Sequence, residues 1–484
     1  MTKVNVENFL DISIALSKEK DYNKLLYRIL KEAMDMTQSD AGTLYTYCDN
    51  HLEFKIMITK SMGIYRGIKG EKFDIPPVPM NRKNVCACAA MENRLINLDD
   101  VYCCAEYDFS GPREYDALTG YKTTSMLVVP MENHGGGIIG VLQLINAIDN
   151  NGKITSFDKN YEEAILSLSS LAAVSIANMN HLHDVKELFE SFVRVMSKAI
   201  DERTPYNGMH TRNMAKYGRH FLEYINDMHS KGKTKYYFDE NTQSQLMMSI
   251  WMHDIGKLTV PLEIMNKSSR LEKRIDGIRS RFEKFSLMNR IKFLEGGITK
   301  DEYEKQGNEL KDICGFVEKV NAAGFLTDEV LEKINKLKNL EFEYQGQKYA
   351  FFTPDELENM SIRKGTLTDK ERKIMEGHVV ETRKLLEEIK FSNEYKNVIE
   401  QASNHHEFLD GSGYPMHISD GTINTSVRVI TILDIFDALT SCDRPYKKAA
   451  SPERAIAILK SMAEEGKLDE NLLKLFSESG AWEK

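Results

Sequence analysis

Apolar positions recur along the chain with two different rhythms, and the change between them divides it. Residues 9–36 place Leu10, Ile14, Leu25, Leu26, Ile29 and Leu30 at helical spacing. Four runs follow that read as strands, at residues 42–48, 51–59, 125–131 and 137–146. The segment Asn133-His134-Gly135-Gly136 predicts a hairpin turn between the last two, because glycine tolerates the positive φ of a tight turn. The first part is therefore expected to be α+β.

Beyond Asp158 the strand signal stops. Residues 161–200 read as one long helix, with Leu166, Leu168, Leu171, Val174, Ile176, Leu182, Val185, Leu188, Phe192 and Val195 among its apolar positions; two helices with a bend near residues 181–184 are the alternative. A helix of that length suggests a connector, paired with its twin in a homodimer. After Thr204-Pro205 the pattern is almost wholly helical. Residues 268–364 differ in texture, being rich in Lys, Arg and Glu. Helices at about 271–293, 301–321 and 328–340, with a short strand or loop at 344–352, predict an inserted, solvated helical pair without a core of its own. The expected organisation is thus an α+β domain at 1–158, a connecting helix at 159–200, and an all-α domain at 201–470 interrupted by the helical insertion 268–364.

Composition narrows the class. The 484 residues are 42% hydrophobic and 28% charged, with only 11 prolines, which excludes disorder, collagen-like repeats and a membrane-embedded protein. That length predicts about three structural units. The most apolar run, residues 164–179, is broken by Ser167, Ser169, Ser170 and Ser175 and falls short of the ~20 apolar residues of a membrane span. The N-terminal residues carry Glu7 and Asp11 and lack a basic-then-apolar leader pattern. Seven cysteines, an odd number, fit a reducing cytoplasmic compartment better than a disulfide framework. A net charge of -9 argues against a nucleic-acid polymer as partner, yet leaves room for a small anionic nucleotide held by local cations.

The candidate chemistry lies in the helical half. Five of the 12 histidines, His210, His253, His378, His405 and His406, have polar, charged or glycine neighbours. His253 and Asp254 close the apolar run 246–252, and Gly256 is expected to stop that helix. His378 is expected inside a helix begun by the capping box Thr368-Asp369-Lys370-Glu371. His405 and His406 end a further helix, and Asp434 and Asp437 lie one turn apart on another. Imidazole and carboxylate together suit Fe, Mn, Ni, Co or Zn, and this many ligands suggests two metals, an arrangement used for phosphoester hydrolysis.

The run His405-His406-Glu407-Phe408-Leu409-Asp410-Gly411-Ser412-Gly413-Tyr414-Pro415, together with His253-Asp254-Ile255-Gly256-Lys257, resembles the two signatures of the HD-GYP family. These HD phosphohydrolases degrade cyclic dinucleotides, above all cyclic di-GMP. The resemblance implies a metal-dependent phosphodiesterase with two divalent ions, Fe or Mn, opening the ring to a linear dinucleotide and further to GMP. It implies that His210, His253, Asp254 and Asp434 surround one metal and that Asp254, His378, His405 and His406 surround the other, with Asp254 as bridge. Lys257 is implied at the scissile phosphate, and Tyr414, Arg444 and Lys447 at the substrate phosphates. Asp437 is expected on the substrate side too, and Glu407 and Asp410 behind the ligands and the loop. Some members hold a third metal through a Glu four residues before the first ligand histidine; Tyr206 stands there, so two metals are expected.

The first half resembles a GAF domain, a small-molecule sensing fold, through Tyr115-Asp116-Ala117-Leu118-Thr119-Gly120-Tyr121-Lys122-Thr123 and Gly140-Val141-Leu142-Gln143-Leu144-Ile145-Asn146. Phe109 and Asn146 stand where cyclic-nucleotide-binding members have Phe and Asn; Ala147 replaces their Lys. The resemblance implies a small-molecule ligand, of unknown identity, that controls the enzyme. Cys86, Cys88, Cys103 and Cys104 fall in this domain at spacings unlike a standard zinc site, and buried free thiols are the simpler expectation. Two other readings remain open at this level. One is a receptor or scaffold that binds the cyclic dinucleotide without turnover; the other is an HD-type hydrolase of a different nucleotide.

Overall fold

The computed structural model describes residues 6–203, 208–441 and 449–483. The chain forms two compact units, Met1–Leu188 and Phe189–Lys484.

The first unit is built on an antiparallel sheet. Its strands are β1 (Ser39–Cys48), β2 (His51–Thr59), β3 (Ile64–Arg66), β4 (Val78–Pro79), β5 (Ile96–Leu98), β6 (Met126–Glu132), β7 (Ile138–Ile148) and β8 (Ile154–Thr155). The sheet order is β3-β2-β1-β7-β6-β5, with β4 on β2 and β8 on β7. Asp49 and Asn50, both at positive φ, turn β1 into β2. The predicted turn at 133–136 joins β6 to β7, where the Asn133 side chain accepts the amides of Gly135 and Gly137.

Side chains alternate along β6 as the pleat requires. Leu127, Val129 and Met131 enter one core with Leu25, Ile29 and Leu30 of helix Tyr22–Thr37; Met126 and Val128 enter another with Val85, Cys86 and Ala89 of helix Val85–Glu92. The helical run predicted for 9–36 is two helices, Val6–Lys18 and Tyr22–Thr37. Asp21 separates them by capping the second, accepting the Lys24 amide at 3.0 Å.

Asn146 and Phe109 are committed inside this unit. Asn146 Oδ1 accepts the Thr124 amide, while its Nδ2 donates to the Lys122 carbonyl and the Tyr121 hydroxyl. Phe109 is buried edge-on against Tyr107. Burial pushes the Cys86 thiol up to about 12, and the six described cysteines are all unpaired. Among the described residues no cysteine belongs to a cluster able to hold a metal.

Helix Glu162–Asp201 runs unbroken for 40 residues, so the bend considered at 181–184 does not occur. Ile165, Leu168, Ala172, Ala173 and Ile176 are buried in the first unit. Among the described helices this one alone meets the length and composition of a membrane span, and those five residues are already enclosed by protein. Leu182, Val185, Leu188, Phe192 and Val195 are 60–73% exposed.

The second unit is helical. Met214, Phe221 and Leu222 of helix His210–Ser230 pack with Leu246 and Ile250 of Glu240–Met252 and with Ile430, Leu433 and Phe436 of Thr425–Thr440. Helix Glu470–Ser479 adds Leu472 and Phe476 to the same core, carrying the unit past the expected end at residue 470.

The insertion departs from expectation, because it has a core. Phe282 and Phe285 of helix Ile275–Leu294 meet Val317 of Lys300–Ala322, Ile334 of Asp328–Leu337, and Phe342, Phe351 and Phe352 around the hairpin Glu341–Tyr344/Gln347–Ala350. Phe285 stacks on Phe342 with centroids 4.7 Å apart. Arg270, fully buried, ties the ends together by donating to the carbonyls of Val320, Ala323 and Ile362.

Candidate metal centre

Three of the candidate histidines are oriented by one local device. His253, His378 and His405 each follow the last residues of a short helix, where main-chain carbonyls lack intrahelical partners. In each, Nδ1 pairs with the carbonyl three residues back, Ile250, Met375 or Ala402, at 2.7 Å. Nδ1 therefore carries the proton and Nε2 is left as a lone-pair donor facing inward.

The helices themselves differ from expectation at two points. The run begun by the Thr368–Glu371 capping box ends at Glu376, and His378 opens a second helix, His378–Glu387, after Gly377. Helix Glu240–Met252 ends before Gly256, which lies in the short 3-10 turn Ile255–Thr259. Glycine is required there by close approach: a Cβ would sit 1.9 Å from the His378 carbonyl oxygen and 2.5 Å from the Thr382 amide. Thr382, which sequence reasoning missed, bonds this crossing from the far side, accepting the Gly256 amide and donating to the His253 carbonyl, both at 3.0 Å. Thr431 likewise donates to the His405 carbonyl at 2.8 Å. Buried threonines of this kind leave no signal in a single sequence.

The expected ligands converge. His210, His253 and Asp254 form one group and His378, His405 and His406 another, the donor atoms within each group lying within 4.8 Å of one another. Asp254 joins them: its Oδ2 is 3.2 Å from His253 Nε2 and 3.7 Å from His210 Nε2, and its Oδ1 is 3.4 Å from His378 Nε2. Asp434 also reaches both, at 3.3 Å from His210 Nε2 and 3.6 Å from His406 Nδ1. The resemblance had implied that Asp434 serves one metal only.

Asp437 is corrected. Expected on the substrate side, it is buried, with Oδ2 2.6 Å from His210 Nδ1 and Oδ1 accepting from Asn213 at 3.1 Å. One helical turn from Asp434, it meets the other ring nitrogen of the same imidazole, the position from which a carboxylate orients a candidate ligand.

The electrostatics are those of a buried, mutually compensated cluster. Burial would lower the His210 pKa, but Asp434, Asp437 and Asp254 outweigh it and raise it to about 10. Burial lowers His378 to about 4 and drives His405 and His406 down, with neighbouring imidazoles adding to the effect. Burial opposes ionisation of Asp254 and Asp434, yet the facing histidines, and Lys257 for Asp254, hold both well below the usual carboxylate range. His378, His405 and His406 are thus neutral and face ionised carboxylates, the state in which such groups bind divalent metal, whereas His210 holds a proton that a bound metal would displace.

Asp254 Oδ1, His378 Nε2 and His405 Nε2 are buried without a hydrogen-bond partner. Three such atoms in one cluster are costly unless something positive satisfies them, and the nitrogen and oxygen donors fit a first-row divalent cation.

Around the cluster, Lys257 Nζ lies 2.5 Å from Asp254 Oδ2. The Tyr414 ring lies 4.8 Å from that of His406. Glu407, buried, accepts the amides of Met416 and Ile418 and so pins the loop carrying Tyr414; Asp410 accepts from Ser412. Gly413 fits because a Cβ would fall 2.4 Å from the Phe408 amide. Arg444, Lys447 and Tyr206 lie outside the described residues.

Two domain families match the chain. The GAF domain family matches residues 21–176 and the HD domain family residues 347–472. The chain carries a GAF domain followed by an HD domain. It is 37% identical over 95 residues to the 3′3′-cGAMP-specific phosphodiesterase 3 of Vibrio cholerae, covering 20% of each chain. To the 3′3′-cGAMP-specific phosphodiesterase 1 of the same organism it is 35% identical over 117 residues, or 24% of this chain and 26% of that one. It is also 28% identical over 169 residues to the dual 3′,5′-cyclic-AMP and -GMP phosphodiesterase 11A of Takifugu rubripes, covering 34% and 18%. The chain thus matches about a quarter or less of the length of these relatives.

Proposed function

We propose that the protein is a metal-dependent phosphodiesterase of the HD-GYP type that hydrolyses a cyclic dinucleotide. The observation that carries this reading is the pair of ligand groups joined by Asp254. His210, His253, Asp254 and Asp434 would hold one metal, and Asp254, His378, His405 and His406 the second; Fe and Mn suit the donors. When bound, such a pair supplies an activated water and offsets phosphate charge. Lys257 adds a fixed cation where negative charge develops, and Tyr414 offers a ring and hydroxyl beside His406 to the incoming nucleotide. Arg444 and Lys447 are assigned to the substrate phosphates by the resemblance alone.

Cyclic di-GMP is the substrate that the His405–Pro415 run suggests, and 3′3′-cGAMP is the one named for the two Vibrio relatives. The purified chain loaded anaerobically with Fe(II) or Mn(II) is expected to convert at least one of them to a linear dinucleotide, followed to GMP by chromatography. Both compounds remaining intact on a chain that holds two metals would leave a receptor or an HD-type hydrolase of a different nucleotide instead.

The GAF domain is proposed as the regulatory unit, with a small-molecule ligand, and the six unpaired described cysteines support a cytoplasmic setting. The long helix is proposed to pair with its twin. Val185, Leu188, Phe192 and Val195 are exposed at alternating three- and four-residue steps, the spacing of a coiled-coil seam. Leu188→Glu combined with Phe192→Glu is expected to halve the mass measured by light scattering. An unchanged mass would place the dimer elsewhere or nowhere.

A further inference from the structure

The C-terminal end of the long helix is bonded, inside the second unit, to three places that carry the site. Phe189 and Val193 pack with Met248, Trp251 and Met252, the residues leading into His253. Asp201, the last residue of the helix, is buried and accepts from Thr211, through its hydroxyl at 3.1 Å and its amide at 3.4 Å. Thr211 directly follows His210. Two residues beyond Asp201, Arg203 Nη1 donates to the carbonyls of Lys257 at 3.0 Å and Leu258 at 2.6 Å.

The Arg203 bonds fall on the turn Ile255–Thr259, which is too short to hold its own shape. Its other anchors are the Thr382 bond to Gly256 and the ion pair of Lys257 with Asp254. A guanidinium that spans two successive carbonyls fixes the main chain at the residue whose ammonium faces Asp254. Asp201 does the same for the residue after His210. Asp201 ends the helix and Arg203 follows it by two residues, so both side chains move with a helix along which a residue advances only 1.5 Å. A slide smaller than that step is enough to misplace reacting groups, and a misplacement of ~1 Å costs on the order of 100-fold in rate.

We propose that Asp201 and Arg203 are positioning residues through which the end of the long helix sets His210 and Lys257, so that a shift or rotation of the helix reaches the hydrolytic site directly. The kinetic part of this rests on the phosphodiesterase reading; the mechanical part does not.

The test uses the full chain as wild type, Arg203→Ala and Arg203→Lys, with hydrogen–deuterium exchange, metal content and steady-state kinetics measured on each. Arg203→Ala is expected to keep the wild-type metal stoichiometry while amides 255–260 exchange about tenfold faster, and kcat is expected to fall about 10- to 100-fold at a KM within about twofold. Arg203→Lys, which keeps one donor, is expected to fall between. Unchanged exchange at 255–260 in Arg203→Ala would overturn the proposal. So would loss of metal in both variants in step with turnover, which would mean collapse of the fold around the site. A wild-type chain that cleaves neither cyclic dinucleotide defeats the phosphodiesterase reading, and the exchange and metal measurements still decide the coupling.

Discussion

Asp254→Asn is expected to lower cyclic-dinucleotide turnover by at least about 1,000-fold and to reduce the metal retained on purification. The carboxylate lies within 4 Å of His210, His253 and His378 together, so it serves both candidate ligand groups at once. An amide keeps the shape, removes the charge, and turns one donor end toward imidazole lone pairs that Nδ1–H bonding has aimed at it. It also leaves the Lys257 ammonium without its partner at 2.5 Å. Steady-state kinetics with elemental analysis on the same preparations measures both effects. Wild-type turnover in the asparagine variant would remove Asp254 from the centre of the mechanism.

Gly256→Ala should be the most damaging single methyl group in the second unit. The added carbon meets the His378 carbonyl oxygen at 1.9 Å and the Thr382 amide and hydroxyl at 2.5 and 2.8 Å. These are main-chain atoms and a buried, doubly bonded side chain, so relief requires helix His378–Glu387 to move as a body. That movement breaks the Thr382 bonds to Gly256 and His253 and carries His378 away from Asp254. A stability loss of about 3 kcal/mol or more is expected, with loss of metal from the His378 side. Gly277→Ala is the control: it lies in helix Ile275–Leu294 with nothing within 4 Å of the new carbon, and should be neutral or slightly stabilising. Equal urea midpoints for the two variants would contradict the argument.

The convergence of the candidate ligands was legible in the sequence because their residue types are expensive to place among apolar neighbours unless they are used. The four long strands were legible as apolar runs bounded by turn residues, whereas the two- and three-residue strands β3, β4, β5 and β8 are too short to leave a pattern. What escaped depends on contacts far apart in the chain. Asp437 shares a face with Asp434, and spacing cannot tell which of the two meets the inner nitrogen of His210 and which the outer. Gly256 looked like a helix stop, whereas its need is set by a helix more than a hundred residues later. In the insertion, charged residues dominate the pattern and the aromatics that make its core come singly from separate elements, Phe282 and Phe285 from a helix, Phe342 from a strand, Phe351 and Phe352 just after one. The break at Asp21 was readable, since Asp is a strong helix cap, but an apolar rhythm that continues on both sides conceals it.

The histidines also differ in when they can be ready during folding. His253, His378 and His405 are each aimed by a carbonyl three residues away, so a single turn of helix suffices to present them. His210 is held by Asp437 across 227 residues of chain. Closing so large a loop is the slow part of assembly. The imidazole at the head of helix His210–Ser230 is therefore the candidate donor whose setting depends on the two ends of the second unit having met.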